Sequence, residues 1–264
     1  MIAVVVLTHN RVHLLERCVE NVLGRASELT SEILIWDNGS TDGTREYLDS
    51  LEDPRLRVVH HPENIGQNAY ARAVGLTSAE YVLELDDDVI DAPAHWDQTL
   101  LAAFQKLPRI GYLAANLVNN PHDQAARVMY VERPHEYTTV EVEGIPLVRG
   151  PVGGWCAITS RELLDQVGGF RQKRREVFWL EDEAYIEDIE KLGFEAALLK
   201  ELKILHAGGG HYSSESEAKH AYWKAYWVRQ QRKNAIKRSL LRIPFVRGLN
   251  ARHEWFRAPE APNQ

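Results

Sequence analysis

The sequence predicts an α/β protein with a doubly wound, mostly parallel central sheet flanked by helices, followed by a basic helical extension. Three observations carry this. Apolar strand runs alternate with helix-period segments over the first hundred residues. Polar clusters stand where those strands end, the side on which open α/β sheets bind ligands. From Lys219 to Arg257 eleven Lys/Arg meet one acid, Glu254, and the remainder carries 20 basic against 37 acidic residues. The tail is thus a separate electrostatic object.

Ile2–Leu7 is an apolar strand, and Val12, Leu15, Val19, Val22 and Leu23 then recur at helical spacing. Glu32–Trp36 is the second strand, ending in Asp37-Asn38-Gly39. Thr41 or Asp42 is placed to cap a helix holding Tyr47, Leu48 and Leu51. Leu56–Val59 is a third strand, and after the Pro62–Gly66 loop a helix runs to about Leu76. Tyr81–Leu85, the fourth strand, runs into Asp86-Asp87-Asp88. A helix over Ala94–Leu107 and a strand at Ile110–Ala115 follow. Residues 116–150 read as short strands, at Arg127–Val131 and Thr138–Val142, or as a long loop. Trp155–Thr159 is a further apolar segment, and Leu180–Leu192 is a helix with Gly193 as its stop. Glu195–Leu205 reads as one or two strands. Residues 1–213 form the expected catalytic domain, with halves 1–115 and 116–213, and 214–264 the extension.

With 264 residues, 44% of them hydrophobic and 26% charged, the chain supports one sizeable core. Cys18 and Cys156 have apolar neighbours and no paired spacing, so buried free thiols in a reducing cytoplasm are expected. No basic region precedes the N-terminal apolar run, and no apolar stretch approaches the roughly 20 residues that span a bilayer.

Four clusters have the chemistry of a site. Three carboxylates at a strand end, Asp86–Asp88, are costly unless neutralised, and a hard divalent cation would do so. Alone, the triplet is equally a solvated acidic loop. In Asp37–Thr44 a strand-to-helix turn accounts for Ser40–Thr44, while Asp37 stands where a carboxylate accepts hydrogen bonds from a nucleobase or ribose. The acids of Leu180-Glu181-Asp182-Glu183 suit the first turn of a helix; the functional alternative makes Asp182 a general base. His206-Ala207-Gly208-Gly209-Gly210-His211 sets imidazoles in pliable backbone, as a surface turn or as a metal or phosphate contact.

Taken in order, these segments resemble the family 2 glycosyltransferases over about residues 1–213. The resemblance begins with Val5-Val6-Leu7-Thr8-His9-Asn10-Arg11 and Asp37-Asn38-Gly39-Ser40-Thr41-Asp42-Gly43-Thr44. It continues through Asn64-Ile65-Gly66, Leu85-Asp86-Asp87-Asp88, Gly153-Gly154-Trp155-Cys156, Glu181-Asp182 and His206. It implies an inverting enzyme of GT-A fold. On the donor side Thr8, Asn10, Arg11, Asp37, Asn38 and Gly66 would hold the nucleoside part, and Asp86 and Asp87 ribose or phosphate. Asp88, with Asp86 and His206, would hold Mg²⁺ or Mn²⁺ on the diphosphate. Gly154, Trp155 and Glu181 would belong to the acceptor side, and Asp182 would be the base, with Glu181 and Glu183 as alternatives. The donor implied is a UDP- or dTDP-sugar and the acceptor a hydroxyl, on a glycan or a lipid-linked molecule. The sequence departs from the family at Ala73, at the acidic Glu187–Glu190 where an arginine is usual, and over 116–150, which matches no motif.

In the tail, Tyr222, Trp223, Tyr226 and Trp227 interleave with Lys224 and Arg229 in a helix to about Ser239, which Pro244 would end. This suits an anionic membrane surface, hence a peripheral place on the inner face of the membrane. Packing back on the acidic body, or at a subunit interface such as a homodimer's, accounts for it somewhat better. The acidic remainder disfavours nucleic acid. Two other readings remain: a non-catalytic module of the same fold that binds carbohydrate or a membrane, and a sugar-nucleotide pyrophosphorylase. The latter normally has a glycine-rich basic loop after the first strand, where this chain has Thr8-His9-Asn10-Arg11.

Overall fold

The computed structural model describes residues 1–173, 180–243 and 245–246. Pro244, residues 247–257 of the basic tail and the side chains of Tyr222, Trp223, Tyr226 and Trp227 lie outside what is described. The chain divides into two compact units, Met1–Ser216 and Glu217–Gln264.

The first unit opens with the expected alternation: β1 (Ile2–Thr8), α1 (Val12–Arg25), β2 (Thr30–Asn38), α2 (Thr44–Asp49), β3 (Leu56–His61), α3 (Asn68–Val74) and β4 (Tyr81–Asp86). After these come β5 (Val89–Asp91), α4 (Trp96–Phe104), β6 (Ile110–Leu117) and α5 (Gln124–Arg127). β7 (Thr138–Val142), β8 (Ile145–Arg149), β9 (Cys156–Ser160), α6 (Arg161–Val167), α7 (Glu181–Lys191) and β10 (Glu195–His206) complete it. The long helix α8 (Ser214–Leu241) supplies most of the described second unit. Among the described residues no helix is long and apolar enough to cross a membrane.

The strands form one sheet in the order β3-β2-β1-β4-β9-β6-β10-β8-β7, with β5 pairing to β10. β3, β2, β1 and β4 are mutually parallel. β9 runs against both β4 and β6, so β6 and its parallel neighbour β10 point the same way as the first four. The sheet is therefore mixed but mostly parallel, as expected.

Side-chain alternation gives the sheet two buried faces. Val4 and Val6 face one layer with Leu15 and Val19 of α1 and Trp96 and Leu100 of α4. Val5 between them faces the other, with Tyr70 of α3, Leu163 of α6, and Tyr185 and Ile189 of α7. Cys18 and Cys156 are buried free thiols.

The structure revises one local expectation and sharpens two others. Arg127–Val131 is not a strand: α5 runs on into a π-helical turn at Val128–Glu132. Its cause lies upstream, where the Asp123 carboxylate accepts the Ala125 and Ala126 N–H groups at 3.1 Å each and starts a helix despite the valines. Asp42 caps more than the helix expected. It accepts the Val12 N–H at 3.0 Å and the Thr44 N–H at 3.2 Å, closing the starts of both α1 and α2. The position before α2 is Gly43, at φ 93°. Glu195–Leu205 is a single strand whose register slips between Leu199 and Lys203.

Asp97 in the first turn of α4 is fully buried. It accepts the Ser27 N–H at 2.8 Å and the hydroxyls of Ser27 and Thr30 at 2.7 Å each, tying α4 to the start of β2. Hydrogen bonds to a buried carboxylate are of the stronger kind. Asp97→Ala is expected to lower stability by about 3 kcal/mol in urea unfolding, since it strands three donors at once.

Candidate active site

The order β3-β2-β1-β4 places a topological switch point between β1 and β4, the point at which open α/β sheets form a ligand crevice beyond the carboxyl ends of their strands. Thr8 ends β1, Asp37 and Asn38 end β2, Asp86 ends β4 and His206 ends β10. Residues up to 198 positions apart in sequence thus meet at one end of the sheet.

The acidic triplet is not a solvated loop. Asp87 is fully buried, Asp88 is 3% exposed and only Asp86 faces the crevice. Arg11, just before α1, lies between them. Its guanidinium donates to Asp88 Oδ2 at 2.8 Å and pairs with Asp87 Oδ1. Burial opposes the charge on Arg11, but Asp87, Asp88 and Asp86 outweigh it and hold its pKa above the ordinary range. For Asp87 burial wins over Arg11, and its carboxyl is raised to about 7.

His206 closes the cluster from the other side. Its Nε2 lies 3.0 Å from Asp88 Oδ1 and 3.6 Å from Asp86 Oδ2. The short strand β5, unseen in the sequence, brings it there. His206 pairs with Val89 across the β5–β10 ladder, and the Ala207 N–H donates to the Asp88 carbonyl at 2.8 Å. Burial would discharge the imidazole, yet Asp88, then Asp123 and Asp86, hold its pKa well above the usual histidine value.

The residues fit a divalent cation. One ligand atom from each of Asp86, Asp88 and His206 falls within 4.8 Å of the others, and these are the sole such group of three among the described residues. Two carboxylates and an imidazole suit Mn²⁺ or Mg²⁺ with further oxygen ligands from phosphate or water.

The residues expected on the nucleoside side are heavily tied to one another. Asn10 sits at φ 51°, and its side-chain oxygen accepts the Thr41 N–H at 2.7 Å. Asn38 donates to Asn64 Oδ1 at 3.0 Å and to the Gly66 carbonyl at 3.2 Å, and accepts the Ile65 N–H at 3.0 Å. These two asparagines shape the loops that wall the crevice. Gly66, at φ 60°, lets the 64–66 loop turn under Asn38. Asp37 accepts the Ser40 N–H at 2.9 Å through one oxygen and meets His60 Nδ1 at 3.0 Å with the other. His60 also lines an open cavity of about 560 Å³ with Gly39, Ser40, Thr41, Arg45 and Pro62. Neither Arg45 nor His60 was singled out in the sequence. His60 reaches Asp37 through the β2–β3 pairing, and Arg45 reaches it from the first turn of α2, just past the motif, with Nε 3.8 Å from Asp37 Oδ2.

Two adjacent residues of the segment expected on the acceptor side link Asp182 and Asp86. The Gly154 N–H donates to Asp182 Oδ2 at 2.9 Å, and the Trp155 carbonyl accepts the Asp86 N–H at 3.0 Å. Trp155 is held in turn by its indole N–H on the Ala115 carbonyl at 2.8 Å. Of the acids that open α7, Glu181 is buried, Glu183 is exposed and Asp182 lies between. Glu84 also belongs here and sequence reading missed it. This 2%-exposed carboxylate accepts the Tyr112 hydroxyl at 2.5 Å. A Cβ on Gly154 would lie 2.7 Å from the Glu84 carboxyl carbon, so glycine is what lets the two approach. The signal was a lone glutamate inside an apolar strand.

Arg171 braces the outer face of α7, donating through Nε to Asp188 Oδ2 at 2.6 Å and through Nη1 to Glu187 Oε2 at 3.1 Å. This arginine, from outside the helix, answers the acids at 187–190. It is the first cause holding the Asp188 carboxyl below its ordinary value. A depressed carboxylate stabilises the fold above its unfolded pKa of about 3.9 and loses that effect as pH falls through the lower folded value. Asp188→Asn should therefore cost about 1 kcal/mol at pH 7. The difference from wild type in thermal melts should shrink below about pH 4 and close at still lower pH.

Comparison with known proteins places the chain in a family. Residues 3–168 match the model of glycosyl transferase family 2. The N-acetylglucosaminyl-diphospho-decaprenol L-rhamnosyltransferase of Mycobacterium tuberculosis is 27% identical over 265 residues, covering 86% of this chain and 83% of that one. Glycosyltransferase GlyG of Streptococcus pneumoniae is 38% identical over 94 residues, 34% of this chain and 31% of the relative. The mannosyltransferase PcManGT from Pyrobaculum calidifontis, solved with GDP-Man and Mn²⁺, superposes with a TM-score of 0.57 at 22% identity, over 79% of this chain and 57% of that one. S. aureus TarS 1-349, solved with UDP-GlcNAc, gives 0.58 at 17% identity, over 81% and 60%. The chain thus spans about a third of the pneumococcal relative and rather more than half of either solved structure. At these identities the structures speak for the GT-A fold alone, and the family match for the rest: the chain belongs to glycosyl transferase family 2.

Proposed function

We propose that this glycosyltransferase moves a sugar from a nucleoside diphosphate sugar to a hydroxyl acceptor in one inverting displacement, with Asp182 as general base. One observation carries the reading: adjacent residues, Gly154 and Trp155, hold Asp182 and the backbone of Asp86 respectively. A base and a diphosphate-side carboxylate are thereby fixed to the same short segment. The acceptor oxygen bonds to the anomeric carbon while its proton passes to the Asp182 carboxylate. The anomeric carbon–oxygen bond to the diphosphate breaks, and its electron pair leaves with the diphosphate. Gly154 holds one oxygen of Asp182 in place.

Asp86, Asp88 and His206 would hold Mg²⁺ or Mn²⁺, whose chemistry is to offset the charge gained by the leaving diphosphate. Arg11 supplies fixed positive charge at the base of the same cluster. Asp37, with His60 and Arg45 beside it, would meet the nucleoside of a UDP- or dTDP-sugar, while Thr8, Asn10, Asn38 and Gly66 shape its walls. Asp87, buried against Arg11, would act on ribose or phosphate through that arginine. Trp155 and Glu181 would line the acceptor side. In this reading residues 1–213 are the catalytic domain, and 214–264 an adjunct.

A lipid-linked acceptor is the reading we favour. It is supported by the mycobacterial rhamnosyltransferase, whose name specifies such an acceptor, and by the character of the second unit. There α8 exposes Val228, Ile236 and Leu240 among Arg229, Arg232, Lys233, Lys237 and Arg238. Apolar side chains interspersed with cations suit an anionic bilayer surface on the inner face of the membrane.

Asp182→Asn is expected to abolish transfer while leaving nucleotide binding near wild type; full transfer activity in this variant would remove Asp182 from the role of base. Thermal stabilisation by a panel of nucleoside diphosphates, larger with Mn²⁺ and lost in Asp88→Asn, is the matching expectation for the donor side. A panel that leaves the melting temperature unmoved at millimolar concentration would instead favour a non-catalytic module. Finally, co-sedimentation with phosphatidylserine vesicles is expected of the full chain and not of residues 1–213, and should weaken as salt rises.

A further inference from the structure

We propose that Asp123 is a positioning residue for the cation site, fixing the His206 ring so that Nε2 is the nitrogen presented to Asp86 and Asp88. The inference rests on the reading of those three residues as cation ligands. Asp123 belongs to the stretch 116–150, which matches no motif, and lies 83 residues before the histidine.

The geometry leaves the ring little choice. Asp123 Oδ1 lies 2.9 Å from His206 Nδ1, and Asp123 is 1% exposed. Its two oxygens also accept the Ala125 and Ala126 N–H groups, so the carboxylate is anchored by the first turn of α5 and cannot swing away. An ionised carboxylate only accepts, so Nδ1 must be the nitrogen that carries hydrogen. The lone pair of a neutral ring then falls on Nε2, which already faces Asp88 Oδ1 at 3.0 Å and Asp86 Oδ2 at 3.6 Å. A carboxylate behind a metal-binding imidazole sets both its tautomer and its orientation.

The surrounding chain is built to hold this pair. A Cβ on Gly208 would lie 2.4 Å from His206 Cε1 and 3.1 Å from Asp123 Oδ1, so glycine lets the chain fold over both. The Gly208 carbonyl accepts the Gln124 N–H at 2.9 Å. Asn120 donates to the His206 carbonyl at 3.3 Å and to the Tyr212 hydroxyl at 2.7 Å. Segment 120–124 is therefore clasped to segment 206–212 by backbone and side chain alike, with the Asp123–His206 contact at its centre.

The test is titration of the full-length protein with Mn²⁺ alone, followed by water-proton relaxation. Two variants keep an oxygen able to cap α5: Asp123→Asn, whose amide can turn its NH₂ toward Nδ1, and Asp123→Ser, which is too short to reach the ring. Both should bind Mn²⁺ about 10- to 100-fold more weakly than wild type. In a His206→Ala background the same substitutions should change Mn²⁺ affinity by less than about twofold, since the ring through which Asp123 acts is gone. The proposal is overturned if either variant binds Mn²⁺ like wild type, or if the loss is as large without His206 as with it. A wild-type protein that does not bind Mn²⁺ would overturn the cation reading itself, and this inference with it.

Discussion

Three consecutive carboxylates at the end of a buried strand set the terms for the rest of this structure. Asp87 and Asp88 sit almost out of solvent, where uncompensated charge is far costlier than at the surface. The fold meets that demand from both sides, with the Arg11 guanidinium from the β1–α1 turn and the His206 imidazole from the end of β10. Neither can reach unless β1 lies beside β4 and β10 bends back to pair with β5. The electrostatics of the crevice and the topology of the sheet are thus one constraint. Asp86, Asp88 and His206 form the one cluster among the described residues suited to a divalent ion.

A second layer of organisation is mechanical. The strand β9 enters the sheet against the direction of its neighbours β4 and β6, which carries the segment just before it to the crevice end. That segment is Gly153–Trp155. Its backbone polar groups reach to either side, the Gly154 N–H to the Asp182 carboxylate and the Trp155 carbonyl to the Asp86 amide. The absence of a side chain at Gly154 permits contact with buried Glu84. An antiparallel strand in a mostly parallel sheet is here the device that links the two halves of the site.

How much could be read in advance depended on range. The alternation β1 to β4 was legible because each element buries a face of its own, and the periodicities of two and 3.6 are written in adjacent residues. Asp37, Asp86–Asp88 and Asp182 were legible as polar residues at element ends. The structure bonds Asn10 and Asn38, expected as ligand contacts, into the loops around them, a role that short polar motifs do not reveal. Arg127–Val131 reads as a strand because its valines suggest one. A single carboxylate three residues upstream of the buried Ala126 starts the helix instead.

The sequence by itself determined the layered α/β core, the family, and which acids stand at the strand ends, since these follow from local pattern and motif order. Only the tertiary structure decided which of those groups meet. His206 beside Asp88, Asp123 behind His206, Arg171 on Asp188 and Gly154 against Glu84 all depend on strand pairings or loop clasps between distant segments. The physical reason is that burial and charge compensation are properties of the assembled sheet. A carboxylate's partner is whichever cation the topology brings within about 3 Å, and no local pattern specifies that neighbour.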